Sequence, residues 1–259
     1  MRIGKITIGT LDEWPLTPGV VTSWRPTAAS AATVARAPAS PVPVSYMQGQ
    51  HLRNYSERTA GGLNFSRQII GGCEAVGECD IGAMNQALNA YLRRHDTFRS
   101  WFEDAGDGHF IRHAIEDPDD IEFEPIDHGH LTVDEIHRLV IDIPSPLEWG
   151  CFTFGVVQNE GRFTFFAAMD HVHGDATLIG TTMLEANGMY SALSSGTDQV
   201  ALPDAGSFDD FCVRERESTS ALTVDSPGVR AWIEFAENNR DGFPEFPLPL
   251  GSPNESTSS

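Results

Sequence analysis

Two imidazoles and two carboxylates lie within one short stretch: Asp170, His171, His173 and Asp175. Three chemistries fit those residue types at that spacing. An imidazole titrates near neutral pH, so His171 can serve as a general base, with Asp175 four positions on as its companion in a His-x-x-x-Asp arrangement suited to acyl transfer. His171, His173 and Asp175 also spell His-x-His-x-Asp, which can ligate a metal ion. The third reading is a polar loop with no chemistry. Spacing alone does not choose among them, because nine His and 37 acidic residues make close encounters common.

The elements on either side show how such a loop is held. Phe163, Phe165, Ala167 and Met169 alternate onto one face, the pattern of a half-buried strand rich in aromatic residues. The polar residues sit at its C-terminal end. Leu178, Met183, Leu184, Met189, Tyr190 and Leu193 then recur at roughly helical spacing, so the unit reads strand, polar loop, helix, with Asp175 placed to cap a helix over 177–193. Upstream, Cys151 to Gln158 is a strand that Asn159-Glu160-Gly161 turns back into Arg162 to Met169.

Further elements follow from caps and breakers. Ile3, Ile6 and Ile8 and then Val20 to Trp24 suggest short strands, while Ala28 to Ala37 favours a helix that Pro38, Pro41 and Pro43 stop. Ser45 caps a segment carrying Leu52 and Tyr55. A strand is expected around Phe65 to Ile70, and Asp80 caps a helix with Met84, Leu88, Tyr91 and Leu92 on one face. A basic turn at Arg93 to Arg99 leads into a hairpin of Ser100 to Phe102 and Phe110 to Ile115, and Thr132 with Glu135 has capping-box spacing. Phe208 to Glu217 and the segment after Ser226-Pro227 read as helices, Phe243 to Leu250 as extended, and Gly251 to Ser259 as a disordered tail. Residues 116–131 receive no element. Interleaved strands and helices point to a mixed α/β or α+β sheet layered with helices.

Composition narrows the function classes. The formal charge of −20, from 17 basic and 37 acidic residues, repels phosphate backbones and anionic lipid, which argues against nucleic acid as a partner. No window reaches 18 consecutive apolar residues, and the first residues lack the apolar core of a signal peptide, so a cytoplasmic protein without a membrane span is expected. Cys73, Cys79, Cys151 and Cys212 form no Cys-x-x-Cys pair and read as reduced, mostly buried thiols, Cys151 as core rather than nucleophile.

Three segments together decide among the loop readings. Pro43-x-Ser45-x-x-Gln48, Arg94-His95-Asp96-Thr97-Phe98-Arg99-Ser100-Trp101-Phe102 and His171-Val172-His173-Gly174-Asp175 resemble, in order and spacing, the condensation-domain superfamily of acyltransferases. More narrowly, the chain looks like the polyketide-associated acyltransferases that acylate trehalose lipids. The second segment broadly follows an Arg-His-Glu-x-Leu-Arg-Thr-x-Phe pattern. The loop departs from the family's usual His-His-x-x-x-Asp-Gly at two places, where Asp170 and Ala176 stand.

The resemblance implies a chloramphenicol acetyltransferase-like two-layer sandwich with a mixed sheet and flanking helices, of which this chain is the N-terminal half. The expected divisions are N-terminal strands and an Ala/Pro-rich lead-in over 1–42, the acyltransferase subdomain over 43–206, a helical crossover over 207–250 and the tail over 251–259. It implies transfer of a fatty or polyketide acyl group from a thioester, acyl-CoA or acyl carrier protein, to a hydroxyl of a trehalose-type glycolipid, with no bound cofactor. His171 is the expected general base, and Asp175 an orienter that pairs with Arg99 or Arg94, unless it simply caps its helix. Asp170, His173 and Gly174 are candidate lining residues, though His173 reads better as facing solvent. Arg93 and Arg94 read as a basic helix end, and Ser100 and Trp101 as packing residues.

Two alternatives stand beside this reading. One is a non-catalytic half-domain. The other is a metallo-β-lactamase-like hydrolase on His171, His173 and Asp175, weakened by Ala176 where that motif carries its next His. On the family reading the chain alone is expected to be weak or inactive, and a second half-domain or self-association is the expected complement. The acyl chain, acceptor, carrier and oligomeric state are not legible in the residues.

Overall fold

The computed structural model describes residues 8–63, 67–197 and 202–239. The chain divides into two units. The larger, Pro15–Val213, holds the candidate loop. The smaller comprises Met1–Trp14 and Arg214–Ser259, and its described part contains a 3-10 turn at Leu11–Glu13 and helix α7, Pro227–Asn238.

A five-stranded sheet forms the centre of the larger unit. Its strands are β1 (Gly19–Pro26), β2 (Gln68–Val76), β5 (Phe123–Leu131), β6 (Phe152–Asn159) and β7 (Arg162–Asp170), in the order β2-β7-β6-β1-β5. All four ladders are antiparallel. Strands β3 (Ser100–Gly106) and β4 (His109–Ala114) form a separate hairpin. The helices are α1 (Ala28–Val34), α2 (Tyr46–Ala60), α3 (Ile81–Arg94), α4 (Val133–Ile141), α5 (Ala176–Ser194) and α6 (Phe208–Ser220), the last crossing the boundary between the units.

The caps read in the sequence act at these helix starts. Ser45 accepts from the Gln48 N–H at 3.1 Å while the Gln48 side chain accepts from the Ser45 N–H, a complete capping box on α2. Asp80 accepts from the Ala83 N–H at 3.0 Å on α3, and Thr132 with Glu135 forms the box on α4.

Phe163, Phe165, Ala167 and Met169 of β7, with Phe154 and Val156 of β6, face a core completed by Met84, Leu88 and Leu92 of α3 and Ile179 and Ala186 of α5. Close approach of helix to sheet requires Gly71, where an added Cβ would lie 2.7 Å from Ile179 Cγ1. Phe166 points to the opposite face and lies over Gly155, where a Cβ would fall 2.1 Å from the ring. Every residue of β7 after Arg162 is buried, so the strand is a fixed support for whatever its C-terminus carries.

The strand expected over Val20 to Trp24 is β1, which lies between β6 and β5 as an interior strand, and Ser30 of α1 donates to the Asp120 carbonyl at 2.8 Å. One expectation is corrected. Residues 116–131, given no element, contain β5. Of the strand expected around Phe65–Ile70, Phe65 lies outside the described residues, as do Ile3, Ile6, the extended 243–250 segment and the 251–259 tail; β2 begins at Gln68.

Candidate active site

Between the end of β7 and the start of α5, the chain makes a turn whose backbone groups are held from several directions. The Asp170 N–H donates to the Cys151 carbonyl at 2.9 Å, and the His171 N–H to the Arg67 carbonyl at 2.9 Å. Asp170 Oδ1 accepts from the Val172 N–H at 2.8 Å, the geometry of an Asx turn centred on His171. The Val172 carbonyl accepts from Gln48 Nε2 at 3.0 Å, and the Thr97 hydroxyl donates to the His173 carbonyl at 3.1 Å. Gln48 belongs to the first of the three sequence segments, Thr97 to the second and Val172 to the third. The structure therefore joins all three at one loop.

His171 projects from this turn as an exposed side chain. It lies in the wall of neither of the two cavities described in the molecule, one lined by Trp101, Glu103, His113 and Leu147 among others and one by His128, Glu135, Arg138 and Ile141 among others. An imidazole at the end of a buried strand, on a pinned turn, has fixed backbone geometry and an accessible ring.

Asp175 caps α5. Its Oδ1 accepts from the Thr177 N–H at 2.8 Å and the Leu178 N–H at 3.2 Å, and the Leu178 and Thr177 N–H groups hold its carboxyl below the usual carboxylate range. The arginine pair expected for it is not among its described contacts. Arg94 Nε donates to Glu185 at 3.0 Å, a carboxylate that His95 also meets at 2.8 Å, and Arg99 reaches the Glu116 carbonyl at 3.4 Å. Local geometry explains the outcome, since a carboxylate at an N-cap finds two N–H groups within its own turn. Gly174 fits only as glycine, because an added Cβ would lie 2.5 Å from Leu178 Cδ2.

His173 does not face solvent. It is 3% exposed, with Nε2 3.2 Å from Cys151 Sγ, Nδ1 3.4 Å from Thr97 Oγ1, and its ring beside Phe98 and Phe152. Since the Thr97 hydroxyl donates to the His173 carbonyl, it is free to accept from Nδ1–H, leaving Nε2 to accept from the thiol; this assigns a neutral ring. Burial pushes the His173 pKa down to about 4, against the opposing pull of Asp170 and the Thr97 contact. Burial likewise drives the Cys151 thiol well above its ordinary value, so it is no nucleophile. Its sequence neighbours Val172 and Gly174 carried no sign that this His turns inward.

Asp170 is buried as well, and its second partner is His51 Nε2 at 2.7 Å, a residue of α2 that sequence reasoning did not single out. Asp96 takes no part in the loop. Its carboxylate accepts from Ser207 Oγ at 2.7 Å and from the Phe208 and Asp209 N–H groups, capping α6, while the buried Arg112 pairs with Asp209. The metal reading loses its ligands in this arrangement: His171 is exposed, His173 is engaged inside, and Asp175 binds a helix end. Among the described residues no group of three His, Cys, Asp or Glu side chains is arranged to hold a metal ion.

Comparison with known proteins adds the following. Residues 43–224 match the family model described as Condensation domain. The chain is 52% identical over 255 residues to acyltransferase PapA3 of Mycobacterium tuberculosis, covering 98% of this chain and 54% of the relative. It is 50% identical over 253 residues to 2'-acyl-2-O-sulfo-trehalose (hydroxy)phthioceranyltransferase PapA1 of Mycobacterium bovis, covering 98% of this chain and 50% of the relative. Among solved structures it is similar to PapA2 acyl transferase, with a TM-score of 0.88 at 46% identity over 95% of this chain and 54% of the other. The X-domain from teicoplanin biosynthesis shares the fold, with a TM-score of 0.59 at 18% identity over 81% of this chain and 45% of the other. The chain spans about half the length of the curated relatives it matches.

Proposed function

The chain belongs to the condensation-domain family, and we propose that it supplies the base-bearing half of an acyltransferase acting on a trehalose-type glycolipid. The observation that carries this reading is the 52% identity to acyltransferase PapA3 over 98% of the chain, with His171 inside the aligned stretch. A thioester, acyl-CoA or acyl carrier protein, is the donor and a sugar hydroxyl the acceptor. His171 takes the proton of the attacking hydroxyl as its oxygen adds to the thioester carbonyl, and the thiolate leaves and recovers a proton. Asp175 serves by fixing the start of α5, and Asp170, His173 and Gly174 by fixing the turn. A second half-domain completes the site, no cofactor is required, and the reaction takes place in the cytoplasm.

The test is an acyl-transfer assay with a long-chain acyl-CoA and trehalose-type acceptors, run with the chain alone and with a supplied second half. In whichever preparation turns over, His171→Ala lowers the rate on the order of 10²–10⁴-fold, the usual loss for a positioned general base. Unchanged turnover in that variant would sink the assignment.

A further inference from the structure

We infer that His51 is a positioning residue for His171, acting through the buried carboxylate of Asp170. The inference rests on the base assignment above for its meaning, and on geometry for its content. Asp170 Oδ1 is shared by two donors from different elements: His51 Nε2 on α2 at 2.7 Å and the Val172 N–H of the loop at 2.8 Å. The side chains of the pair are 12% and 5% exposed, so the contact is shielded from water and screened little by salt.

Residue 171 is the centre of the Asx turn that the second bond closes. The orientation of that carboxylate therefore sets the backbone dihedrals from which the His171 ring projects. A carboxylate held only by Val172 can rotate about its last torsion, which is broad for Asp. The imidazole of His51, a second donor on the same oxygen, removes that freedom. Gln48, about one turn earlier on α2, ties the same helix to the loop, since it joins the α2 capping box with Ser45 and also donates to the Val172 carbonyl. Helix α2 thus grips the turn twice, once at each side of Val172.

Hydrogen exchange of backbone amides tests this on the chain as it stands, without turnover. His51→Ala is expected to raise exchange at the Val172 amide about tenfold or more, while amides of β6 and β7 such as Phe154 and Phe165 keep their protection. His51→Gln, which retains a side-chain N–H donor, is expected to return Val172 to within about threefold of the parent. In a preparation with turnover, His51→Ala lowers kcat with KM little changed, and His51→Gln restores it. An unchanged Val172 amide in His51→Ala overturns the inference. So does a parallel rise at every core amide in both variants, which would mark His51 as a general packing residue. Because exchange is read without substrate, a failed His171→Ala assay leaves this result standing, and the two ideas fall separately.

Discussion

A buried histidine two residues from an exposed one makes a test of protonation at single-residue resolution. The pKa of His173 is depressed in the fold, so the neutral ring is the form the fold accepts. The unfolded chain takes up its proton near pH 6.5 and the folded chain near 4, so the unfolded state binds more protons between those values and stability rises with pH across that window. The contribution is full above the unfolded value and is lost as pH falls toward 4, amounting to roughly 3 kcal/mol for a shift of this size. NMR titration of the ring should show His173 still neutral at pH 5.5; a midpoint near the unfolded value would contradict the inward placement. Asp175 predicts the companion effect at the helix end. Asp175→Ala should cost about 1 kcal/mol of thermal stability through the lost cap, and Asp175→Asn less, because Asn also caps. Its carboxyl is held low in the fold, so its contribution is present above the unfolded value and disappears as pH falls through the folded one. The deficit of the Ala variant should therefore shrink in acid, as equilibrium unfolding at two pH values will show.

Elements with a cap and a period were legible in the sequence, and those built from distant pairing were not. Asp80, Ser45 and Thr132 announce α3, α2 and α4, and the Asn159-Glu160-Gly161 turn announces β6 and β7. Strand β5 escaped because Phe123 to Leu131 contains Pro125 and Gly129, which read as breakers. At the sheet edge both are tolerated: Pro125 lies opposite Trp24, and Gly129 takes a φ of 68° where the register shifts between Val21 and Thr22. The place of β1 was equally hidden, since its partners β5 and β6 both stand about a hundred residues or more further along the chain. At the loop, the capping role of Asp175 was readable from type and spacing. His51 and the inward turn of His173 were not, because each depends on which surface α2 and β6 present to the loop. The β6–β7 pairing makes its own prediction. Gly155→Ala places a methyl in the volume of the Phe166 ring, which is fully buried, so the variant should lose about 1–3 kcal/mol in denaturant unfolding with little change in m. A variant as stable as the parent would show that the ring can move aside.

On the scale of the molecule, charge and coverage bear on how the site works. The formal charge of −20 gives the chain as a whole a field that repels an anionic donor such as acyl-CoA unless a partner surface offsets it. No helix among the described residues is long and apolar enough to cross a membrane. The relatives carry about as much chain again as the stretch matched here. His171 lines neither of the two cavities described here. Fixing two reactants in attacking geometry is worth roughly 7–11 kcal/mol of a barrier in favourable cases, and a solvated imidazole on one surface obtains little of it. Residues 1–259 alone should accordingly transfer acyl groups poorly, and addition of a second half should raise the rate by orders of magnitude with His171 still required. The measurement is turnover of the purified chain with and without that half, together with its mass in solution. Robust, His171-dependent turnover by the monomeric chain alone would mean that this stretch already encloses both substrates. No turnover in either case, with the second half bound, would favour the non-catalytic reading.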